Sequence, residues 1–273
     1  MKKKFSPLIL LIFISSFALI NDYNPIQEGY RSVKNNKFER GEELTYLVHF
    51  GFVNGGEAKV SLDKTLYKVN DRICYRVDVR GKSLGITALT YRVNDLWRSY
   101  IDTAAMIPHK FYRSIRENNY KRDEETYFNH LKGTAEVSNV TDTKNIKKQT
   151  FKVQKYVQDM VSGYYFLRTL EFDKLQKGDI IEIKGFLQDK SYDFKIRYLG
   201  KEKLRTKFGR IHTAVVAPVM PENQLFDGEN AIKAWISDDN NRVPLKVEAE
   251  LLVGSIELDL IKHKGLKHKF RKK

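Results

Sequence analysis

The chain has 273 residues, with 49 Lys and Arg against 34 Asp and Glu, a formal charge of +15, and one cysteine. A single thiol excludes an intrachain disulfide framework, so apolar burial must hold the fold together. No Walker loop, dinucleotide glycine pattern, HExxH helix or G-x-S-x-G turn occurs, which leaves nucleotide, zinc-protease and serine-hydrolase chemistry without a motif.

The N-terminus reads as a secretory signal peptide. Lys2, Lys3 and Lys4 precede Pro7 to Ile20, an apolar run too short for a comfortable membrane span. Ser16 and Ala18 suit positions −3 and −1, so cleavage is expected after Ala18; an uncleaved anchor is the alternative. No cysteine follows the run, so no lipobox and no lipoprotein anchor are expected. The protein is expected to be exported to the periplasm, where nucleic acid is not an expected partner whatever the charge. Residues 19–40 are polar, broken by Pro25, and read as a flexible leader. Residues 41–263 read as one β-rich domain, and residues 264–273 as a basic tail.

From Gly41 onward the dominant period is two. Leu44, Tyr46, Val48, Phe50 and Phe52 share a face, and Asn54-Gly55-Gly56 is a turn signal. Ala58, Val60 and Leu62 then alternate with Glu57, Lys59 and Ser61. Ile73, Tyr75, Val77 and Val79 alternate with Arg72, Cys74, Arg76, Asp78 and Arg80. Further strands lie around Pro108 and Asn118-Asn119, and Asn129 to Gly133 is a hairpin turn. Residues 140–149 form a polar excursion between two halves. The period changes once, over Asp159 to Leu170, where apolar residues three and four apart predict a helix capped by Asp159. Gly163 inside it suggests close approach of another backbone. Strands return after Lys177-Gly178-Asp179, with Leu199-Gly200-Lys201 read as a turn. At the end, Trp235-Ile236-Ser237, the Asp238-Asp239-Asn240-Asn241 turn and two alternating strands form a closing hairpin. The predicted class is mainly β: a large curved antiparallel sheet or half-open barrel, with one principal helix packed on it.

Several segments together resemble the DUF3108 family of exported bacterial proteins. They are Gly41 to Tyr46 with Asn54 to Ala58, Ser99 to Asp102 with Ile107-Pro108, Gln158 to Arg168, and Trp235 to Asp239 through Arg242 to Leu245. The resemblance implies an envelope protein with a β-rich fold and brings no catalytic residues. The architecture also looks similar to the half-barrels of periplasmic lipoprotein carriers, a likeness of fold alone.

Candidate chemistry is sparse. His49, His109, His130, His212, His263 and His268 show no metal-ligand spacing, so neither a metal nor a cofactor is expected. Cys74 lies between Arg72 and Arg76, whose charges would activate a thiol; a buried, inert cysteine is the other reading. Asp238 and Asp239 suit Asx turns better than glycoside hydrolysis, which needs two carboxyls facing across a substrate. Aromatics make up 12% of the chain. Tyr46, Phe50, Phe52, Tyr75, Tyr164 and Tyr165, with Arg168, are the candidate lining of an apolar cavity for an amphiphile or envelope glycan. An envelope hydrolase or lyase would need Glu57, Asp102 or His49 to converge with another acid. A structural partner in an outer-membrane complex is the third reading. The tail, with seven Lys or Arg from Lys262 onward and no acid, either sits on an anionic membrane surface or is solvated.

Overall fold

The computed structural model describes residues 28–219, 230–251 and 254–270; the expected signal peptide lies outside them. The alternating segments form fourteen strands of one antiparallel sheet. The first meander comprises β1 (Glu43–Phe50), β2 (Val53–Val69), β3 (Arg72–Ser83), β4 (Asn94–Asp102), β5 (Pro108–Glu117), β6 (Tyr120–Asn129), β7 (Thr134–Asn139) and β8 (Lys147–Lys152). The second comprises β9 (Ile180–Leu187), β10 (Lys190–Thr206), β11 (Gly209–Pro218), β12 (Ile232–Ser237), β13 (Pro244–Glu250) and β14 (Ser255–Lys264). β14 pairs with β1 and fuses the two, leaving β8 and β9 as edges. A short helix, α1 (Gly85–Thr90), links β3 to β4, and α2 (Met160–Arg168) lies between the edges.

A twisted sheet this wide must curl. Here it curls around α2 without closing. The residue before the helix cap closes part of the gap: Gln158 N donates to Lys184 O, and Gln158 O accepts from Phe186 N, both at 2.8 Å. Asp159 then caps α2, its Oδ1 accepting from Val161 N at 2.8 Å and Ser162 N at 2.7 Å, as its sequence position predicts. The helix sits inside the curl. Ser99 Oγ of β4 donates to Asp159 Oδ2 at 2.6 Å, and the Tyr46 and Tyr164 hydroxyls meet at 2.8 Å. Gly163 answers to no close backbone; a Cβ there would make only an ordinary contact with Gln158 Cβ at 3.7 Å.

Antiparallel order sends alternate turns to opposite ends of the barrel. One end is filled, and it forms a floor. Residues 28–40 are docked there rather than flexible. Phe38 is buried edge-on against Tyr165, with ring centroids 4.6 Å apart. Arg31 Nε donates to Ala105 O at 2.8 Å while its guanidinium covers the Phe166 ring. The tail is also docked as far as it is described. His268 N donates to Asn241 Oδ1 at 2.9 Å, Asn241 Nδ2 donates to His268 O at 3.0 Å, and Phe270 stacks on Phe208. The entry to the tail depends on Gly265, at φ 67°, where a Cβ would stand 2.4 Å from Gly41 O. Gly265→Ala is therefore expected to cost about 1–3 kcal/mol, through a strained backbone, and to lower Tm in calorimetry.

Two expected turns are strand instead. The first hairpin turns at Gly51-Phe52, and Asn54-Gly55-Gly56 continues β2. Asn54 and Gly56 pair with β1 on either side of a bulge at Gly55, and β3 joins at Gly56, which extends β2 past the glycines. Leu199-Gly200-Lys201 lies within β10, where the register to β11 slips at Gly200 (φ 104°). It is a bulge that bends the strand. The Asp238-Asp239 hairpin turn is as expected: Asp239 Oδ1 accepts from Ser237 Oγ at 2.8 Å, Asn241 N at 2.9 Å and Arg242 N at 3.2 Å. Among the described residues no helix is long and apolar enough to cross a membrane.

Candidate functional site

The mouth end is open where the floor end is full. Three concavities adjoin there. The first, about 610 Å³, is bounded by Val48, Phe50, Val53, Ala58, Trp97 and Ile256. Its space comes from missing side chains, since Gly55, Gly56 and Gly81 lie in the same wall. Those positions are constrained as well as bare. A Cβ on Gly56 would come within 3.0 Å of Lys82 O, and one on Gly81 within 3.3 Å of the Trp97 ring. The second concavity, about 580 Å³, shares Trp97 and adds Phe111, Arg113, Arg122, Met160 and Leu187. The third, about 280 Å³, shares Met160 and Leu187 and follows the groove between α2 and Phe186, Phe194 and Ile196. The shared residues make one branched trough, with Trp97 at its divide and the N-terminus of α2 in its base.

The branches differ in chemistry. The first is apolar in its lining. The second holds two guanidiniums that converge on the buried carboxylate of Glu124: Arg113 Nη2 donates to Oε2 at 3.1 Å and Arg122 Nε to the same oxygen at 3.0 Å. Each guanidinium has five N–H donors, more than one carboxylate can occupy. Asp189, 3.9 Å from Arg122, borders the same branch.

The expected lining residues divide. Phe50 lines the apolar branch and Tyr164 the helix groove. Phe52 is fully exposed at the tip of the first turn, because the strand ends before it. Tyr46, Tyr75, Tyr165 and Arg168 belong to the packed floor instead of the trough. Tyr75 meets Phe38 edge-on, and Tyr46 donates to Pro244 O at 3.0 Å. Burial raises the Tyr46 and Tyr165 hydroxyls well above the ordinary phenol range and moves Tyr164 up to about 12, so all three are neutral. Arg168 Nη1 and Nη2 reach Glu42 Oε1 and Oε2 at 2.5 and 2.8 Å, with both side chains fully buried.

Trp97, Arg113, Arg122, Met160 and Leu187 had no sequence signal of comparable strength. The usable clue was the inward register of Trp97 with Ser99 and Ile101 across β4, opposite the bare wall at Gly81.

The carboxylate and histidine candidates do not form one constellation. Glu57 pairs with Lys82 at 3.1 Å beside the mouth. His49 Nε2 meets Asp259 Oδ2 at 2.8 Å on the outer face of the sheet. Burial alone would lower its pKa; the hydrogen bonds to Asp259 and Gly51 O outweigh that and leave it raised. His49, Glu257 and Asp259 are grouped closely enough to hold a metal, but Lys246 Nζ already stands 2.6 Å from Glu257. Asp102 is elsewhere. Glu57 is level with Lys82, and Lys82 with Asn94; Asp102 lies eight residues further along β4, about 27 Å by strand rise. There it is fully buried with Arg72 (2.7 Å) and His109 (3.3 Å). Cys74, its strand neighbour, is the inert reading: burial pushes its thiol far up, and Sγ donates to Arg72 O at 3.5 Å.

Fold and trough together define an unclosed antiparallel β-barrel, plugged at one end and hollow at the other. The chain belongs to the DUF3108 family, described as a protein of unknown function, whose model matches residues 45–261. A solved structure with a similar fold is the β-barrel-like protein of domain of unknown function DUF1849 from Brucella abortus. It is 10% identical, with a TM-score of 0.52, and the match covers 86% of this chain and 98% of that one. At that identity the likeness is one of fold. No curated protein matches the sequence.

Proposed function

We propose that the protein is a non-catalytic carrier or receptor of the cell envelope that takes an amphiphile into its open trough. The observation that carries this reading is the divide at Trp97, with an apolar branch on one side and a branch holding Arg113 and Arg122 on the other. An acyl chain suits the first, and the oxygens of a polar headgroup suit the guanidinium donors of the second. Each larger branch falls within the roughly 300–1,000 Å³ typical of small-molecule sites. The charged and apolar N-terminal run supports export to the periplasm.

Titration with an environment-sensitive fluorescent fatty acid tests the reading. Saturable enhancement is expected, with competition by envelope lipid extracts. Ala58→Phe places a ring in the apolar branch and is expected to weaken binding at least about tenfold, the scale of a lost methylene-sized fit or worse, at a cost of about 1–3 kcal/mol in stability because Ala58 also packs against the core. A parent protein that gives no saturable signal, or an Ala58→Phe protein that binds as the parent does, would sink the proposal.

A further inference from the structure

The mouth carries an apolar tip that the trough does not use. Phe52 projects from the β1–β2 turn, fully exposed, and α1 adds Ile86 and Leu89 at 68% and 87% exposure. The two elements are bound together: Leu84 N donates to Gly55 O at 2.9 Å, and Thr87 of α1 faces Gly55 across the apolar branch. Side chains this large are not left in water by the needs of packing. α1 buries none of its residues and lacks a side-chain cap, so it does little for the core. Phe50, Val53 and Ile256, also exposed, continue the apolar surface from this tip into the trough.

The charges at the same end favour one kind of surface. Arg92, Lys121, Lys144, Lys147 and Lys190 occupy the mouth-end turns and strand starts, are exposed, and have no carboxylate partner among the described residues. Nearby acids are engaged: Tyr91 donates to Glu117 at 2.8 Å, Asp142 accepts from Asn145, and Asp189 faces Arg122. An apolar tip beside unpaired cations matches an anionic bilayer interface, where aromatic and aliphatic side chains enter the acyl boundary and Lys and Arg meet phosphates. The docked tail lies at the opposite end and would face away.

We infer that the mouth docks on an anionic lipid surface through Phe52, Ile86 and Leu89. This rests on the amphiphile reading of the trough and extends it: docking sets the open apolar branch against the bilayer, so a chain passes between membrane and trough without crossing water.

The test is flotation of the full chain with phosphatidylcholine vesicles, with and without phosphatidylglycerol, alongside the fluorescent fatty-acid titration. The parent is expected to float with the mixed vesicles and less with phosphatidylcholine alone. Phe52→Asp combined with Leu89→Asp is expected to reduce flotation about tenfold or more, since charged residues enter the interface poorly. Both positions are exposed, so the double variant should keep the parent's Tm and its fatty-acid affinity. A parent that stays at the bottom of the gradient, or a double variant that floats equally well, overturns the docking. So does a parent that sediments as a dimer, becomes monomeric in the double variant and never floats, because the tip then serves a second copy. Flotation without fatty-acid binding in either protein would instead overturn the trough reading and separate the two claims.

Discussion

Glu42→Gln is expected to cost about 3–5 kcal/mol of stability, because it leaves the Arg168 guanidinium buried without its counter-charge. Both partners are fully buried, and Glu42 holds both terminal nitrogens of Arg168. Burial by itself lowers the arginine's pKa, and in the parent the Glu42 carboxylate more than reverses this; the variant loses that compensation, yet a guanidinium is too basic to give up its proton, so the charge stays buried. Its remaining acceptor, Asn241 O at 3.0 Å, is neutral. The Phe38 and Tyr165 rings, 5.0 and 5.2 Å from the guanidinium, return only part of the loss. Urea unfolding checks the magnitude. A Glu42→Leu, Arg168→Met double variant should recover most of it, since an apolar pair avoids burying any charge. A double variant as unstable as the single would show that shape, not charge, holds this junction. The pair also fixes α2 at its C-terminal end, while Asp159 and Ser99 fix it at the other. Met160 in the trough base is positioned by both.

How much of this was legible in sequence follows from which interactions are local. Alternation of apolar and polar residues, and its one break, display the β class, the principal helix with its Asp159 cap and the Asp239 turn directly, though not α1. Each depends on residues within a few positions of one another. The trough depends on register between distant strands. Gly81 looks like any strand glycine until β4 places Trp97 against it. Asn54-Gly55-Gly56 has good turn composition, yet pairing with β1 along the segment, joined by β3 at Gly56, overrides that local preference. The floor was misread for a similar reason. Tyr46, Tyr165 and Arg168 carry the composition of a binding wall, but Phe38, from the segment expected as a leader, and Glu42, at the start of the domain, fill the space between them. Burial there is a property of the chain's return to the barrel end, which no local window records. The start of the basic tail is held in the same way: Asn241, across the floor, bonds the backbone of His268.

Asp102→Asn should lower stability by a comparable amount, about 3–5 kcal/mol, again by removing a carboxylate paired with a buried cation, here Arg72. For a domain of this size that corresponds to a fall in Tm of roughly 10 °C. The loss should depend on pH in a way the first substitution does not predict. Burial alone would raise the Asp102 pKa. Hydrogen bonds from His109 and Arg72, and from Ala104 N and Ala105 N at 2.8 Å, prevail and hold it well below the usual carboxylate range. A depressed pKa means its contribution is fully present above the unfolded value, near pH 4, and is lost as pH falls toward the folded value. The parent should therefore weaken steeply below about pH 4, and the variant less so. His130, which burial moves down to about 4, works above that range: the unfolded chain takes its proton first, so stability declines as pH drops from about 6.5 to 4 in both proteins. Asp159, raised to about 6 by burial, opposes that decline because its folded form takes a proton first. Denaturant midpoints from neutral to acid pH should show the two proteins far apart above pH 4 and converging below it. Parallel curves would remove Asp102 as the acid-sensitive group. The consequence reaches the trough through a side-chain-to-backbone hydrogen bond. Asp102 holds the turn whose Met106 O accepts from Gln158 Nε2 at 2.8 Å, and Gln158 leads into the cap of α2. Acid that releases Asp102 therefore loosens the base on which the amphiphile site is built, acting through Gln158, which lines the helix groove.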